Sequence, residues 1–302
     1  MQAPSILVLG CRGFIGSNIT KHFLGKGYNV AGCDLVEYPT GQYQYHKLSL
    51  LSPDFDDFIS ANNFFACINA AGSGSVPYSI EHPFNDFEAN ATAVAKVLSD
   101  IARRQPACRF VHLSSAAVYG NPAALPVSES HATAPMSPYG YHKLASEIIC
   151  REYHDVFGLP IAVIRPFSVY GQGLYKQLLW DICSRLKQNE AIELFGTGSE
   201  TRDFINIVDF CAAIELVLEK GSFKNDIYNL GNGDATSIRE LANIFMQCYP
   251  GAKKISFNGQ QKKGDPLHWQ AGINKIASLG YKKSITLEEG VERYINWFLQ
   301  QQ

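Results

Sequence analysis

The feature that most constrains this chain is Gly10-Cys11-Arg12-Gly13-Phe14-Ile15-Gly16, set between the apolar run Ser5 to Leu9 and the helical-period stretch Ile15 to Leu24. Three glycines between a strand and a helix permit a tight turn, a close backbone approach and an exposed helix N-terminus, the arrangement that receives a dinucleotide pyrophosphate. The spacing therefore predicts a βα turn that binds a phosphate-containing cofactor through Gly10, Arg12, Gly13, Phe14, Ile15 and Gly16.

The rest of the first half repeats that alternation. Apolar runs at Asn29 to Cys33, Cys67 to Ala71, Phe110 to Ser114 and Ile161 to Arg165 are interleaved with helical patterns at Phe87 to Ala102 and Tyr139 to Phe157. The runs are continuously apolar, as strands of a parallel sheet covered on both faces are. The order predicts an α/β fold, a doubly wound parallel sheet of the Rossmann type, over residues 1–166. A smaller α+β substrate-binding domain is expected over 167–205 and 233–302, with the segment at about 206–232 returning to the sheet. Helices are expected near Lys176 to Lys187 and Val208 to Glu219, and strands at Ala191 to Phe195 and Ile227 to Leu230. Between Asn121 and Pro138 four prolines exclude both helix and central strand, leaving a long loop.

Charge and cysteine content exclude several functions. Lys and Arg number 26 against 28 Asp and Glu, so no field draws the chain to a phosphate backbone or an anionic membrane, and neither nucleic acid nor membrane is expected as a partner. Eight cysteines stand singly, with no CxxC and no metal-type spacing, and read as reduced thiols in a cytoplasmic setting. No metal site is expected, and His142 and His154 should face solvent or a helix neighbour. No stretch is long enough to span a bilayer, and residues 1–10 lack the features of a signal peptide.

Two further positions carry chemistry. Asp34 closes the second strand, where a carboxylate accepts hydrogen bonds from both adenosine ribose hydroxyls and repels a 2′-phosphate, which favours NAD. Arg12 points the other way, since a guanidinium in the glycine loop can pair with a 2′-phosphate, and NADP stays open on that account. Tyr139 and Lys143 share a helix face at i and i+4. A free tyrosine titrates near ~10, and bringing it to ~7 requires about 4 kcal/mol, which a neighbouring ammonium and a cationic nicotinamide can supply.

With these motifs in place, the chain resembles the extended short-chain dehydrogenases/reductases of the nucleotide-sugar epimerase/dehydratase family. The resemblance covers nearly the whole chain. It rests on Gly10 to Gly16, Asn69-Ala70-Ala71 with Ser75-Val76, Asn90, Ser114 to Gly120, Ser137 to Lys143, Arg165 to Gly171, Phe195 to Gly198, Arg202-Asp203-Phe204, Gly264-Asp265-Pro266 and Leu287 to Gly290. It implies that Ser115, Tyr139 and Lys143 are catalytic. It further implies that Leu50, Ala70, Ala71, Asn90, Ser114 and Pro166 join the glycine loop, Asp34, Tyr139 and Lys143 around NAD. Ser75, Ser115, Ser168, Phe195, Arg202 and Lys262 would hold a nucleoside-diphosphate sugar, and the chain would form a homodimer through the helices carrying Phe87 and Tyr139, with Ile148, Ile149 and Tyr153 on that face.

The departures from the family pattern narrow the reaction. Ala116 and Ala117 stand where the 4,6-dehydratases carry an Asp-Glu pair, so dehydration is not expected. Ser168 replaces an Asn and Lys262 an Arg, so the resemblance carries substrate identity less far than fold; Ser49 in place of an Asp and Ala93-Val94 in place of Gly-Thr bear only on the details of cofactor binding. The expected reaction is nucleotide-sugar 4-epimerisation through a transient 4-keto sugar, serving polysaccharide precursors. The alternatives are a reductase of a 4-keto-6-deoxy nucleotide sugar that consumes NAD(P)H, and a non-catalytic dinucleotide-binding module.

Overall fold

The computed structural model describes residues 3–38, 41–252, 254–260 and 267–301. Seven strands form one sheet: β1 (Ser5–Leu9), β2 (Asn29–Asp34), β3 (Gln44–Lys47), β4 (Ala66–Asn69), β5 (Arg109–Leu113), β6 (Ile161–Pro166) and β7 (Lys224–Leu230). Their spatial order is β7-β6-β5-β4-β1-β2-β3, and every pair is parallel.

The apolar runs are continuous because both faces of the sheet are covered. Ile6 and Val8 of β1 pack on one side with Ile19 and Phe23 of α1 (Phe14–Gly25). Leu7 and Leu9 pack on the other with Phe55 of α2 (Asp54–Ser60), Val97 of α3 (Ala93–Arg104) and Cys150 of α4 (Pro138–Phe157). Helix α5 (Ile207–Lys220) joins α1 on the first side through Phe210, Ile214 and Val217. Strand β7 follows α5 and pairs with β6 along Lys224 to Leu230.

The strand order switches from one side to the other between β1 and β4, and in such sheets ligands gather outside the carboxyl ends of the strands at that switch point. Gly10, at φ +72°, follows β1 there, and a Cβ on it would lie 2.7 Å from the Cα of Ala71, which follows β4. A second apolar cluster, built from Leu179, Leu241, Phe245, Tyr294 and Phe298, lies in the helices Gln177–Leu186, Ile238–Cys248 and Leu287–Gln300.

Three local features differ from the sequence reading. The helix expected from Phe87 to Ala102 is interrupted: a short helix Pro83–Phe87 leads into a π-turn over Glu88–Thr92 before α3 begins. A π-turn carries one residue more than an α-turn, so the apolar stripe turns by about 100° across it without the helical run ending, and such bulges concentrate at functional sites. Strand β3 and helix α2 were not expected, because Gln44-Tyr45-His46-Lys47 is polar and half-exposed at the sheet edge. Among the described residues no helix is long and apolar enough to cross a membrane.

Candidate active site

Helix α1 starts at Gly13 with no side-chain cap, so its first amides are left to an outside partner. A Cβ at Gly16 would run into the carbonyl of Gly10, so only glycine lets the helix start against the turn. At the end of β2, Asp34 Oδ2 accepts from the Arg12 amide at 2.8 Å, and Oδ1 accepts from the Leu35 amide at 2.7 Å. The carboxylate is thus fixed beside the glycine turn. The Arg12 guanidinium lies 4.2 Å over the Tyr38 ring. Leu48 donates to the carbonyl of Asp34 at 2.9 Å, which brings the chain at Leu50 alongside this corner, where Leu50 packs on the core.

The cradle fits a dinucleotide on a further observation. Asn90, buried on the π-turn, donates through Nδ2 to the carbonyl of Asp86 at 3.1 Å, but its Oδ1 has no partner. A Cβ at Gly72 would stand 2.5 Å from that oxygen. A buried unpaired carbonyl costs about 1–3 kcal/mol, and a ligand donor would remove that cost. Ala70 and Ala71 wall the turn, Ala71 donating to Asn69 Oδ1 at 3.2 Å, and Pro166 ends β6.

The catalytic candidates converge at the end of β5. Ser115 is the N-cap of a 3₁₀ turn, Ala116–Tyr119, and its Oγ accepts from the Ala117 amide at 3.1 Å. That leaves its hydroxyl proton for the Tyr139 phenol oxygen. Tyr139 lies in the first turn of α4, which Pro138 and the Ser137 cap start in place. Lys143, one turn on and only 5% exposed, donates to the carbonyl of Leu113 at 3.0 Å, with Nζ 6.0 Å from the centre of the Tyr139 ring.

Burial dominates both titrations. It pushes the Tyr139 phenol above its ordinary value, opposed by the Ser115 hydrogen bond, and it pulls the Lys143 ammonium down to about 8. The protein alone therefore does not acidify Tyr139. The ammonium expected to do so is itself desolvated, and Asp86 adds a negative charge nearby.

A buried network holds Ser115 against Tyr139. Glu147, one turn beyond Lys143, accepts from Ser114 Oγ at 2.5 Å and from both arms of the Arg165 guanidinium at 2.9 and 2.6 Å. Arg165 also donates to Tyr119 Oη at 2.7 Å, and Tyr119 donates to Asn229 Oδ1 at 2.8 Å. The residues on either side of the Ser115 turn are thus tied to the helix that carries Tyr139 and Lys143. Ser114 spends its hydroxyl in this network rather than on a ligand. On the same face of α4, one turn from Lys143, Ser146 Oγ bonds buried His112 at 2.8 Å, and desolvation keeps that imidazole neutral.

The expected substrate residues are less uniformly placed. The Ser75 hydroxyl caps the helix Val76–Glu81 by accepting from Tyr78. Ser168 begins the short strand Ser168–Tyr170, hydrogen-bonded through its amide to the carbonyl of Asp203. Phe195 is 55% exposed, and Arg202 lies 5.8 Å over the Trp269 ring. Lys262 and Gly264 to Pro266 lie outside the described residues.

Sequence reasoning missed Trp269 and undervalued Asp203. Trp269 donates through Nε1 to the carbonyl of Gly120 and packs edge-on against Phe167 at 5.8 Å, next to the Ser115 turn. Buried Asp203 accepts from the amides of Asn232, Gly233 and Ala271, joining three loops. In Arg202-Asp203-Phe204 the Asp next to an apolar residue is the sequence signal for a buried carboxylate. His142 and His154 both have partners: His142 pairs with Asp86 at 2.6 Å, and His154 bonds the carbonyl of Leu159 at 2.7 Å.

A glycine-cradled helix start, a strand-end carboxylate and a Ser-Tyr-Lys set on neighbouring elements define a dinucleotide-binding α/β protein of the short-chain dehydrogenase/reductase type. The chain belongs to the NAD dependent epimerase/dehydratase family, whose model matches residues 6–231. A Methanocaldococcus jannaschii protein provisionally named UDP-glucose 4-epimerase is 30% identical, over 97% of each chain. The UDP-glucuronic acid 4-epimerase of Bacillus cereus, solved with UDP-glucuronic acid and NAD, is 25% identical, with a TM-score of 0.90 over 99% of this chain and 100% of that one. A dTDP-glucose 4,6-dehydratase of Actinoplanes is 29% identical, over 70% of this chain and 67% of its own.

Proposed function

We propose that this protein is an NAD-dependent nucleotide-sugar 4-epimerase acting on a UDP-hexose or UDP-hexuronate. The observation that carries the reading is the convergence of Ser115, Tyr139 and Lys143 beside a turn that carries no carboxyl side chain at Ala116 or Ala117. A 4,6-dehydratase needs an acid to expel the C6 hydroxyl and a base at C5. Here those places offer only methyl groups, so the chemistry stops at C4.

NAD, held at the glycine turn, Asp34 and Lys143, would supply the hydride acceptor and donor at C4. The protein provides the rest. Tyr139 takes the proton of the C4 hydroxyl and later gives it back, and the Ser115 hydroxyl donates to the same oxygen as it becomes a carbonyl. Lys143, held at the Leu113 carbonyl, has two further N–H donors for the ribose and for the charge on Tyr139. The 4-keto sugar turns over in the pocket before reduction on its other face.

The fixed Asp34 carboxylate favours NAD, while the Arg12 guanidinium stacked on Tyr38 keeps edge N–H donors and is the feature that would suit NADP. Residues 1–166 with about 206–232 would hold the cofactor, and 167–205 with 233–302 the nucleotide sugar, with Arg202 at the diphosphate. The product would serve glycan assembly. A homodimer is supported by apolar side chains exposed along α4 and the short helix Pro83–Phe87, with Ile148 60% exposed and Tyr141, Phe157, Phe84 and Phe87 also at the surface. Ile149 and Tyr153 instead pack toward the core. Sedimentation of the protein tests the dimer, and a monomer at micromolar concentration refutes it. The enzymatic reading is tested by incubation with UDP-glucose and UDP-glucuronate under NMR, where interconversion of C4 epimers without net NADH is expected. Consumption of NAD(P)H with a 4-keto-6-deoxy sugar nucleotide, and none of the former activity, would replace it by the reductase.

A further inference from the structure

Asp203 takes no part in the chemistry above, yet three segments of the chain meet on it. It is fully buried, and its Oδ1 accepts from the Asn232 amide at 2.6 Å while its Oδ2 accepts from the amides of Gly233 and Ala271, each at 2.9 Å. Burial and the nearby Asp234 push the carboxyl up, the three amides pull it down, and the balance at about 6 leaves it ionised above pH 7. A neutral side chain cannot take these donors: an amide in its place would turn its own NH2 group toward an incoming N–H. Room is cleared for the carboxylate, since a Cβ on Gly231 would stand 2.8 Å from Asp203 Oδ1 and 2.7 Å from the Cβ of Ala271.

The segments it joins border residues of the proposed substrate site. Arg202 precedes Asp203 in the chain, and its Nη1 donates to the carbonyls of Thr201 and Leu267 at 2.9 and 3.5 Å. The Ser168 amide donates to the Asp203 carbonyl at 2.9 Å. Ala271 lies two residues after Trp269, whose ring faces the Arg202 guanidinium at 5.8 Å and whose Nε1 reaches Gly120 beside the Ser115 turn. Thr201 donates to Leu267 and Trp269 to Thr201 through the backbone, at 3.0 and 3.2 Å, so the Arg202 and Trp269 segments move as one unit. Asp203 ties that unit to Asn232 and Gly233, which leave the carboxyl end of β7. Asn232 is fixed in turn, its Nδ2 donating to the Phe204 carbonyl at 2.8 Å and its Oδ1 accepting from Tyr281 Oη at 2.7 Å.

We propose that Asp203 is a positioning residue of the nucleotide-sugar site: its carboxylate clamps the segments of Arg202 and Trp269 to the carboxyl end of β7, so that the site stands assembled before a nucleoside diphosphate arrives. The inference rests on the nucleotide-sugar reading and on the place given there to Arg202 at the diphosphate. A site ordered during folding binds without the cost of ordering its loops at that moment, so loss of the clamp falls on binding. The reacting groups are held apart from it. Lys143 is anchored on Leu113, and Glu147 fixes the Ser115 turn through Ser114 and Arg165. The chemical step should therefore change less than the affinity.

The test is calorimetric binding of UDP to the NAD-loaded protein, joined to steady-state kinetics with the UDP-sugar that turns over. In Asp203→Asn the Kd for UDP and the KM for the sugar nucleotide should each rise about tenfold, with kcat within about threefold of wild type and NAD content unchanged. Gly231→Ala, which sets a methyl against the carboxylate and Ala271 without altering either, should move both constants the same way. Where these variants fold poorly, hydrogen exchange of the NAD-loaded wild type decides: the amides of Asn232, Gly233 and Ala271 should be protected to within about threefold alike before and after UDP is added. Amides that exchange freely until UDP arrives overturn the proposal, as does a folded Asp203→Asn that binds UDP as tightly as wild type or loses kcat with KM unchanged. If the wild type does not bind UDP, or Arg202→Ala binds it equally well, the nucleotide-sugar reading of this site fails; if Arg202→Ala weakens UDP binding and Asp203→Asn does not, only the clamp fails.

Discussion

Replacing Lys143 by methionine should stabilise the cofactor-free protein less and less as the pH rises, while abolishing turnover. The ammonium is 5% exposed, and burial brings its pKa from 10.5 to about 8. That difference corresponds to about 3 kcal/mol of penalty for carrying the charge in the folded state. The folded value lies below the unfolded one. Between about pH 8 and 10.5 the unfolded chain therefore holds the proton that the folded chain has released, and wild-type stability gains as pH rises. Below pH 8 both states are charged and the full penalty applies. Methionine keeps the side-chain length without the charge, so the stability of wild type relative to the variant should improve by about 2 kcal/mol between pH 7 and pH 9.5. The loss of the hydrogen bond to Leu113 adds a constant that drops out of this comparison. Urea unfolding of both proteins at a series of pH values reads the change directly. A difference that stays flat over that range, or that moves the other way, refutes a desolvated ammonium at this position.

Other substitutions probe the remaining supports. Glu147→Gln leaves the Arg165 guanidinium buried without its carboxylate and should cost about 3–5 kcal/mol in urea unfolding, with kcat lowered more than KM is raised because the Ser115 turn loosens. Gly16→Ala should yield a folded protein without bound dinucleotide, seen as loss of the cofactor released on denaturation, because the added methyl meets the Gly10 carbonyl. Asp34→Ala should weaken NAD binding by about 10- to 100-fold, the value of one or two hydrogen bonds to a charged group, and narrow its advantage over NADP; this is measured by titration of cofactor-free protein.

How much of this was legible in the chain depends on whether a residue's role is local. The glycine turn, β1 and α1 could be read because glycine positions and unbroken apolar runs encode a buried parallel strand and a bare helix start within a few residues. Tyr139 and Lys143 needed only i,i+4 spacing. Glu147 extends that same face by one more turn, so its nearness to the site was readable, but its partner Arg165 comes from a strand 18 residues later and its tie to Ser114 spans 33. The Asp86–His142 pair crosses 56 residues and sits beside a π-turn. Trp269 reaches the Ser115 turn through a contact across 149 residues. Edge strand β3 leaves no clear sequence signal because a half-exposed strand does not require an apolar run. Long-range pairs of polar groups leave no periodic trace, and the field around Tyr139 is built from them.

The central claim is that Tyr139 is the acid/base of a C4 epimerisation that is redox-neutral overall. It is tested most directly by purifying wild-type protein and Tyr139→Phe without added cofactor, identifying any dinucleotide released on denaturation, and following UDP-glucose and UDP-glucuronate by NMR. The account predicts NAD in both preparations, interconversion of C4 epimers by the wild type with no net NADH, and a rate lower by at least about 10²-fold in the variant. Epimerisation by Tyr139→Phe at the wild-type rate, or a wild type that holds NAD and leaves both sugars unchanged while reducing a 4-keto sugar nucleotide, would contradict it.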